Sequence, residues 1–178
     1  MTEEPMPSKA ELLEALRASR DQVLETVRRL PAERLEEGRY ENGWNGRQIL
    51  AHLASIEWTY PRLIDIAREA PATDDVRSTV EGHVELPTRT MRGGNDAYND
   101  RQVAKRAHLS AADLLAEFER NRATTIAAVE AADDELFSRL IRSAGGITGP
   151  LAAVFHQVAV LHVLGHARDI AGSNRHCA

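Results

Sequence analysis

Residues 150–172, Pro150 to Gly172, read PLAAVFHQVAVLHVLGHARDIAG. Between Pro150 and Ala167 there is no Asp, Glu, Lys or Arg. Pro150 suits the first turn of a helix, where its missing N–H costs nothing. Gly172 suits the cap just past the end. A helix that is apolar all round is buried on most sides, so this segment is expected to pack against neighbours over most of its surface. His162 and His166 stand four residues apart within it. At 3.6 residues per turn they share one face, about one turn apart.

Such a helix needs partners, and three other segments carry matching stripes. Ser8 and Glu11 form a capping-box pattern, followed by Leu12, Leu16, Ser19, Val23, Val27 and Leu30 at steps of 4, 3, 4, 4 and 3. That spacing is one core-facing stripe, and Pro31 stops it. After a loop from Gly38 to Gly46, Asn45 and Gln48 predict the next start. Its stripe is Ile49, Leu53, Ile56, Tyr60, Leu63 and Ala67, the seam of a helix packed along a neighbour. Pro61 lies inside it and is expected to kink or split it. Asn95 or Asp96 opens a third helical stretch to about Ala107. Ser110 and Asp113 open another, lined by Leu114, Phe118, Thr125, Ile126 and Val129. These two can be one bent helix or two.

Two connectors remain. Residues 71–94 have no sustained period and contain Pro71, Gly82, Pro87, Gly93 and Gly94, an unusually long connection for a small bundle. Such a segment is either a functional lid or a disordered crossover. Asp133 to Gly149 is shorter, with a short helix expected around Leu136 to Ile141.

The 178 residues are one domain's worth, with 8–172 as the core and short tails. Hydrophobic residues are 43 % and charged residues 28 %, which argues against disorder. Aromatics are only 4 %, while Ala, Leu, Arg and Glu are abundant, a helix-favouring balance. The net charge of −5 leaves no general basic face for nucleic acid. The acidic N-terminus lacks an apolar leader. The stretch from Leu151 to Leu164 is too short and too polar to span a membrane. Cys177 is the single cysteine, which excludes an internal disulfide and fits a cytoplasmic setting.

The chemistry gathers on histidines. Burial of His162 and His166 in the most apolar helix favours the neutral ring, the form that binds metal. With Ile49 at zero, His52 lies about 60° round the helix from it and flanks the core face. It can meet the last helix inside a bundle, as bundle metal sites require. Each ring also has a reading as an ordinary core residue. His156 lies about 120° from His162 and about 80° from His166, so it is read as a supporting or structural residue. His83, His108 and His176 are read as exposed and passive.

The stretch from Trp44 to Glu57, WNGRQILAHLASIE, resembles the "W, then HL, then E" pattern of the DinB-like superfamily, which includes YfiT-type hydrolases and mycothiol-dependent maleylpyruvate isomerases. His162 to Ile170, HVLGHARDI, resembles its C-terminal HxxxH. The Ser-initiated third helix between Asn95 and Asp134 is also similar. The resemblance runs from about Ser8 to Gly172. It implies an all-α four-helix bundle, up-down-down-up, with a long crossover between helices two and three. It implies a divalent metal such as zinc, nickel or iron on His52, His162 and His166. Low-molecular-weight thiol chemistry and a homodimer also follow from it.

Three neutral imidazoles leave a coordination position open, the mark of a catalytic metal. A thiol or water there would be acidified. The expected function is thiol S-transfer or thiol-dependent isomerisation of a small-molecule substrate. Metal-dependent hydrolysis and a stress-related bundle with a structural metal are the alternatives. Glu57, Tyr60, Arg77, Arg89 and Arg92 are candidates for the mouth of the site, with a solvated or pairing role as the plainer reading.

Overall fold

The computed structural model describes residues 6–38, 43–70 and 93–172. The 71–92 stretch with Arg77, His83, Arg89 and Arg92, and the tail with His176 and Cys177, lie outside them.

Helix α1 (Lys9–Arg29) starts on the expected capping box, with the Ser8 N–H donating to the Glu11 carboxylate at 2.7 Å. A short turn, α2 (Ala32–Leu35), follows Pro31. The Asn45–Gln48 pair caps α3 (Gly46–Glu57) by the same reciprocal bonds. Gly46 is needed where α2 crosses, because a Cβ there would lie 3.2 Å from the Leu35 Cα. Pro61 splits the second helix: α3 ends at Glu57, and α4 (Pro61–Glu69) begins with the proline in its first turn.

The third region is two helices. The first, α5 (Gly94–Lys105), begins at Gly94, a residue before the expected start, and ends two residues before Ala107. The second, α6 (Ala111–Ala131), is capped by Ser110 and Asp113. The connector that follows differs from expectation. A 3-10 turn (Asp134–Ser138) leads into a hairpin of β1 (Leu140–Arg142) and β2 (Thr148–Pro150), with Ile141 opposite Gly149. Pro150 therefore closes a strand and caps the last helix from outside.

That helix is not continuous α. It comprises α7 (Leu151–His156), a π turn (Gln157–Leu161) and α8 (His162–Ala171). Gly172 ends it at φ 76°, a left-handed cap. Nor is it buried all round. Leu161 is 42 % exposed and Gln157 faces solvent, while most of the helix is buried, as its apolar character predicts.

Two apolar clusters fix the direction of each helix. One joins Leu12 and Leu16 of α1 to Tyr60–Ala70, to Ile126 and Val129 of α6, and to Leu151–Val160. The other joins Val23–Val27 of α1 to Ile49–Ala54, to Leu114 and Phe118, and to Val163–Ile170. So α1 and the last helix run from the first cluster to the second, while α3–α4 and α6 run the other way. This is the up-down-down-up bundle. The chain must return the bundle's length between α4 and α6, and α5 packs along α3 on that return. Among the described residues no helix is long and apolar enough to cross a membrane.

Between the clusters lies a polar layer. Arg122 and Glu57 are both 0 % exposed, with Nε 2.8 Å from Oε1 and Nη2 donating to Oε2 at 2.9 Å. Arg122 Nη1 donates to the Ser19 hydroxyl at 2.9 Å and the Leu16 carbonyl at 3.2 Å; Nη2 also donates to the Ala159 carbonyl at 2.9 Å. One guanidinium thus ties the other three long helices to α6. Burial pushes the Glu57 carboxyl up, and the Arg122 charge opposes that push. Such a pair can be no more stabilising than an apolar substitute, yet losing one partner is costly.

Candidate metal centre

His52 reaches the centre from the middle of α3, and His162 and His166 from the first two turns of α8, which packs on α3. Ring centroids are 5.4 Å apart for His52–His162, 5.1 Å for His52–His166 and 4.5 Å for His162–His166. One ligand nitrogen from each ring lies within 4.8 Å of the other two. Nitrogens on one zinc-sized ion stand about 3.4 Å apart in tetrahedral geometry, so small χ rotations would close the set. Among the described residues no fourth candidate ligand joins this group.

The surroundings hold the rings neutral. Burial, with His166 and His162 close by, pushes His52 down to about 3. Burial and His166 push His162 down to about 4. Burial lowers His166 as well, against the pull of Asp169. A neutral imidazole keeps the lone pair a metal needs.

Orientation is supplied by neighbours. His166 Nδ1 lies 3.0 Å from the buried Asp169 Oδ2. With that nitrogen donating, Nε2 carries the lone pair, the carboxylate–histidine arrangement common at metal sites. The Val158 carbonyl pulls the His162 pKa up against burial. In the π turn the His162 N–H bonds to the Gln157 carbonyl, five residues back, and not to Val158. His52 packs against Trp44 at 5.3 Å, and its Nδ1 is buried with no hydrogen-bond partner. Three neutral donors round one point, one with an unsatisfied nitrogen, fit a divalent ion.

His52 and His162 open onto a cavity of about 420 Å³. Its apolar lining includes Ile56, Leu63, Ile147 and Val158, and its polar lining includes Arg62, Asn95, Asn99 and Ser143. Tyr60, one of the candidates for the mouth, lines it, with its hydroxyl buried. Glu57 does not line it, a correction to its candidacy for the mouth: the carboxylate is spent on Arg122 in the core. The plainer reading, a pairing side chain, is the one realised. His156 is half-buried and outside the cluster, and His108 is exposed. Sequence reasoning missed Asp169, Arg122 and Arg62. Asp169 alone left a trace, as an acid three residues after a ligand histidine in an apolar helix.

The sequence matches the family described as mycothiol maleylpyruvate isomerase N-terminal domain over residues 16–171. The chain belongs to this family, within the DinB-like superfamily. Among solved structures, the fold is similar to a mycothiol-dependent maleylpyruvate isomerase, with 18 % identity and a TM-score of 0.68. That alignment covers 92 % of this chain and 61 % of the isomerase, so the chain spans less than two thirds of that protein's length. It is also similar to YfiT from Bacillus subtilis, described as a probable metal-dependent hydrolase with an unusual four-helix bundle topology. There identity is 16 %, coverage 98 % and 90 %, and the TM-score 0.64. An uncharacterised protein from Escherichia coli UTI89 matches at 15 % identity, 98 % coverage of both chains and a TM-score of 0.58. A search of the curated proteins found no match.

Proposed function

We propose that this protein holds a divalent metal ion on His52, His162 and His166 and catalyses transfer or isomerisation chemistry with a low-molecular-weight thiol. The observation that carries the reading is a cluster of three neutral imidazoles, two of which, His52 and His162, line a cavity of about 420 Å³. A structural metal calls for a closed, four-ligand shell, whereas three protein ligands beside a cavity leave room for a small molecule. Bound there, the ion would supply Lewis acidity that lowers the pKa of a thiol.

The chain's own residues supply the rest. Asp169 fixes the His166 ring in the tautomer that presents a lone pair. Trp44 and the cores around α3 and α8 exclude water from the back of the cluster. The apolar wall of Ile56, Leu63 and Val158 would desolvate a bound substrate, which strengthens charge interactions within the cavity. Family membership favours the thiol; the likeness to YfiT keeps water as the competing nucleophile.

The test is direct. Protein purified without a histidine tag should take up about one equivalent of zinc, nickel or iron, and His52→Ala, His162→Ala and His166→Ala should each lose it. Small thiols and electrophiles are then screened with each metal. Acceleration that needs both thiol and metal supports the proposal. Metal-dependent turnover without thiol would replace it with hydrolysis, and wild-type stoichiometry in all three variants would end it.

A further inference from the structure

The cavity beside His52 and His162 is long and narrow. Along the second helix it is lined by His52, Ile56, Tyr60, Leu63 and Ile66, one continuous face of α3 and α4. At about 1.5 Å per residue this face runs about 20 Å, from the histidines into the first apolar cluster. A volume of about 420 Å³ over that length leaves a channel about 5 Å across. One extended chain is about that wide, since paired strands stand about 4.8 Å apart. The far end lies between α4, the hairpin that packs on it and the start of α5.

The inner wall is more apolar than its composition. The Thr59 hydroxyl donates to the Ile56 carbonyl at 2.6 Å, and the Ser143 hydroxyl accepts the Ile147 N–H at 3.1 Å. Asn95 Nδ2 donates to the Ala144 carbonyl at 3.3 Å, joining α5 to the hairpin loop. The Tyr60 hydroxyl is buried, so this residue shows the channel its ring. Arg62, Asp96 and Gln157 are exposed and belong to the rim, and Asn99 remains as a half-buried amide. The inside is then Ile56, the Tyr60 ring, Leu63, Ile66, Ile147 and Val158. Water between such groups is poorly held, and an apolar group that displaces it gains affinity.

We propose that the small molecule processed at the histidines carries an unbranched apolar chain, which lies along α4 from Tyr60 to Ile66. That stretch spans about 9 Å, and at about 1.2 Å per bond it takes a chain of about six to eight carbons. This rests on the reading of the histidines as the reactive centre and adds a substrate class to it.

The uncharged probes 1-hexanol, 1-octanol and cyclooctanol are titrated by calorimetry into zinc-loaded and metal-free protein. Metal content and thermal melting are recorded for every variant. Affinity should rise about fourfold per added CH₂, and so about 15-fold from 1-hexanol to 1-octanol. Cyclooctanol, with the same carbons in a ring too wide for the channel, should bind at least about tenfold more weakly than 1-octanol. Ile66→Trp fills the far end and should abolish the gain of 1-octanol over 1-hexanol. Ile66 is a core residue, so Ile147→Asp, at a side chain 37 % exposed, tests the same wall with the core untouched. It should weaken 1-octanol about tenfold or more, because the chain would bury an unpaired charge. Equal affinity for 1-hexanol and 1-octanol, equal affinity for 1-octanol and cyclooctanol, or no saturable 1-octanol binding to wild type would overturn the proposal. So would wild-type affinity for 1-octanol in folded Ile147→Asp. Failure of the metal reading shows separately, as absent metal in wild type. The alcohol series in metal-free protein stands apart from it.

Discussion

Lowering the pH should separate this cluster from three ordinary histidines. A metal competes with protons for each imidazole, so each ring weakens apparent affinity by a factor of 1 + 10^(pKa − pH). Three rings at the ordinary value of 6.5 would each contribute about 33 at pH 5, a combined loss of about 3 × 10⁴. Here His52 is held down to about 3 and His162 to about 4. Their combined factor at pH 5 is only about 1.1. His166 is also lowered, so its factor is below the ordinary 33 or so. Affinity should therefore fall by less than about 40-fold between neutral pH and pH 5. Competition with a chromophoric chelator measures this, and cobalt absorbance offers a second readout. Circular dichroism must accompany it, because the same shifts act on stability. In the unfolded chain the rings take up protons near 6.5, while in the fold they resist until about 3 and about 4. Within that window the unfolded state binds more protons, so metal-free stability is full above pH 6.5 and declines as pH falls. A loss near 10⁴-fold at pH 5, with the fold intact, would refute the claim that burial keeps these rings neutral.

Two further outcomes follow from the same geometry. Asp169→Ala should leave the bundle folded and reduce metal affinity about 10- to 100-fold, because His166 loses the group that fixes its tautomer; chelator competition on the folded variant checks it. Glu57→Gln should destabilise by about 3–5 kcal/mol, since Arg122 is left charged and buried. That corresponds to a fall in melting temperature on the order of 10 °C for a chain of this size, and the double replacement Glu57→Leu with Arg122→Met should recover most of it.

The bundle was legible because its instructions are local. Ser8–Glu11, Asn45–Gln48 and Ser110–Asp113 each satisfy backbone donors within four residues, so each reads directly as a helix start. The stripes on α1, α3–α4 and α6 mark the buried faces, and even Ser19, the odd polar member, is buried because it meets Arg122. The histidine cluster was half legible. The pairing of His162 with His166 is a property of one helix. Bringing His52 to them depends on how two helices cross, which the stripe-edge position allows and the family resemblance supplied. The hairpin at 140–150 was not legible, since three-residue strands are too short to show a period.

The π turn shows why the supporting residues escaped. Nothing in Gln157–Leu161 announces it: there is no Pro and no Gly, and after Gln157 the residues are uniformly apolar. Read as uniform α, the helix would commit the Val158 carbonyl to the His162 N–H and leave it no role at the site. With the bonding shifted to i−5, the Val158 carbonyl pulls the His162 pKa up, and the next carbonyl, Ala159, accepts from Arg122. The single turn thus serves the metal centre on one side and the buried ion pair on the other. Its stability comes from tertiary partners and not from local propensity, which is the condition under which a sequence pattern is silent. The two features are mechanically joined: Arg122 anchors the turn that orients His162. The Glu57→Leu, Arg122→Met protein, though restored in stability, should therefore bind metal more weakly than wild type. Equal affinity would show that the π turn holds its shape without Arg122.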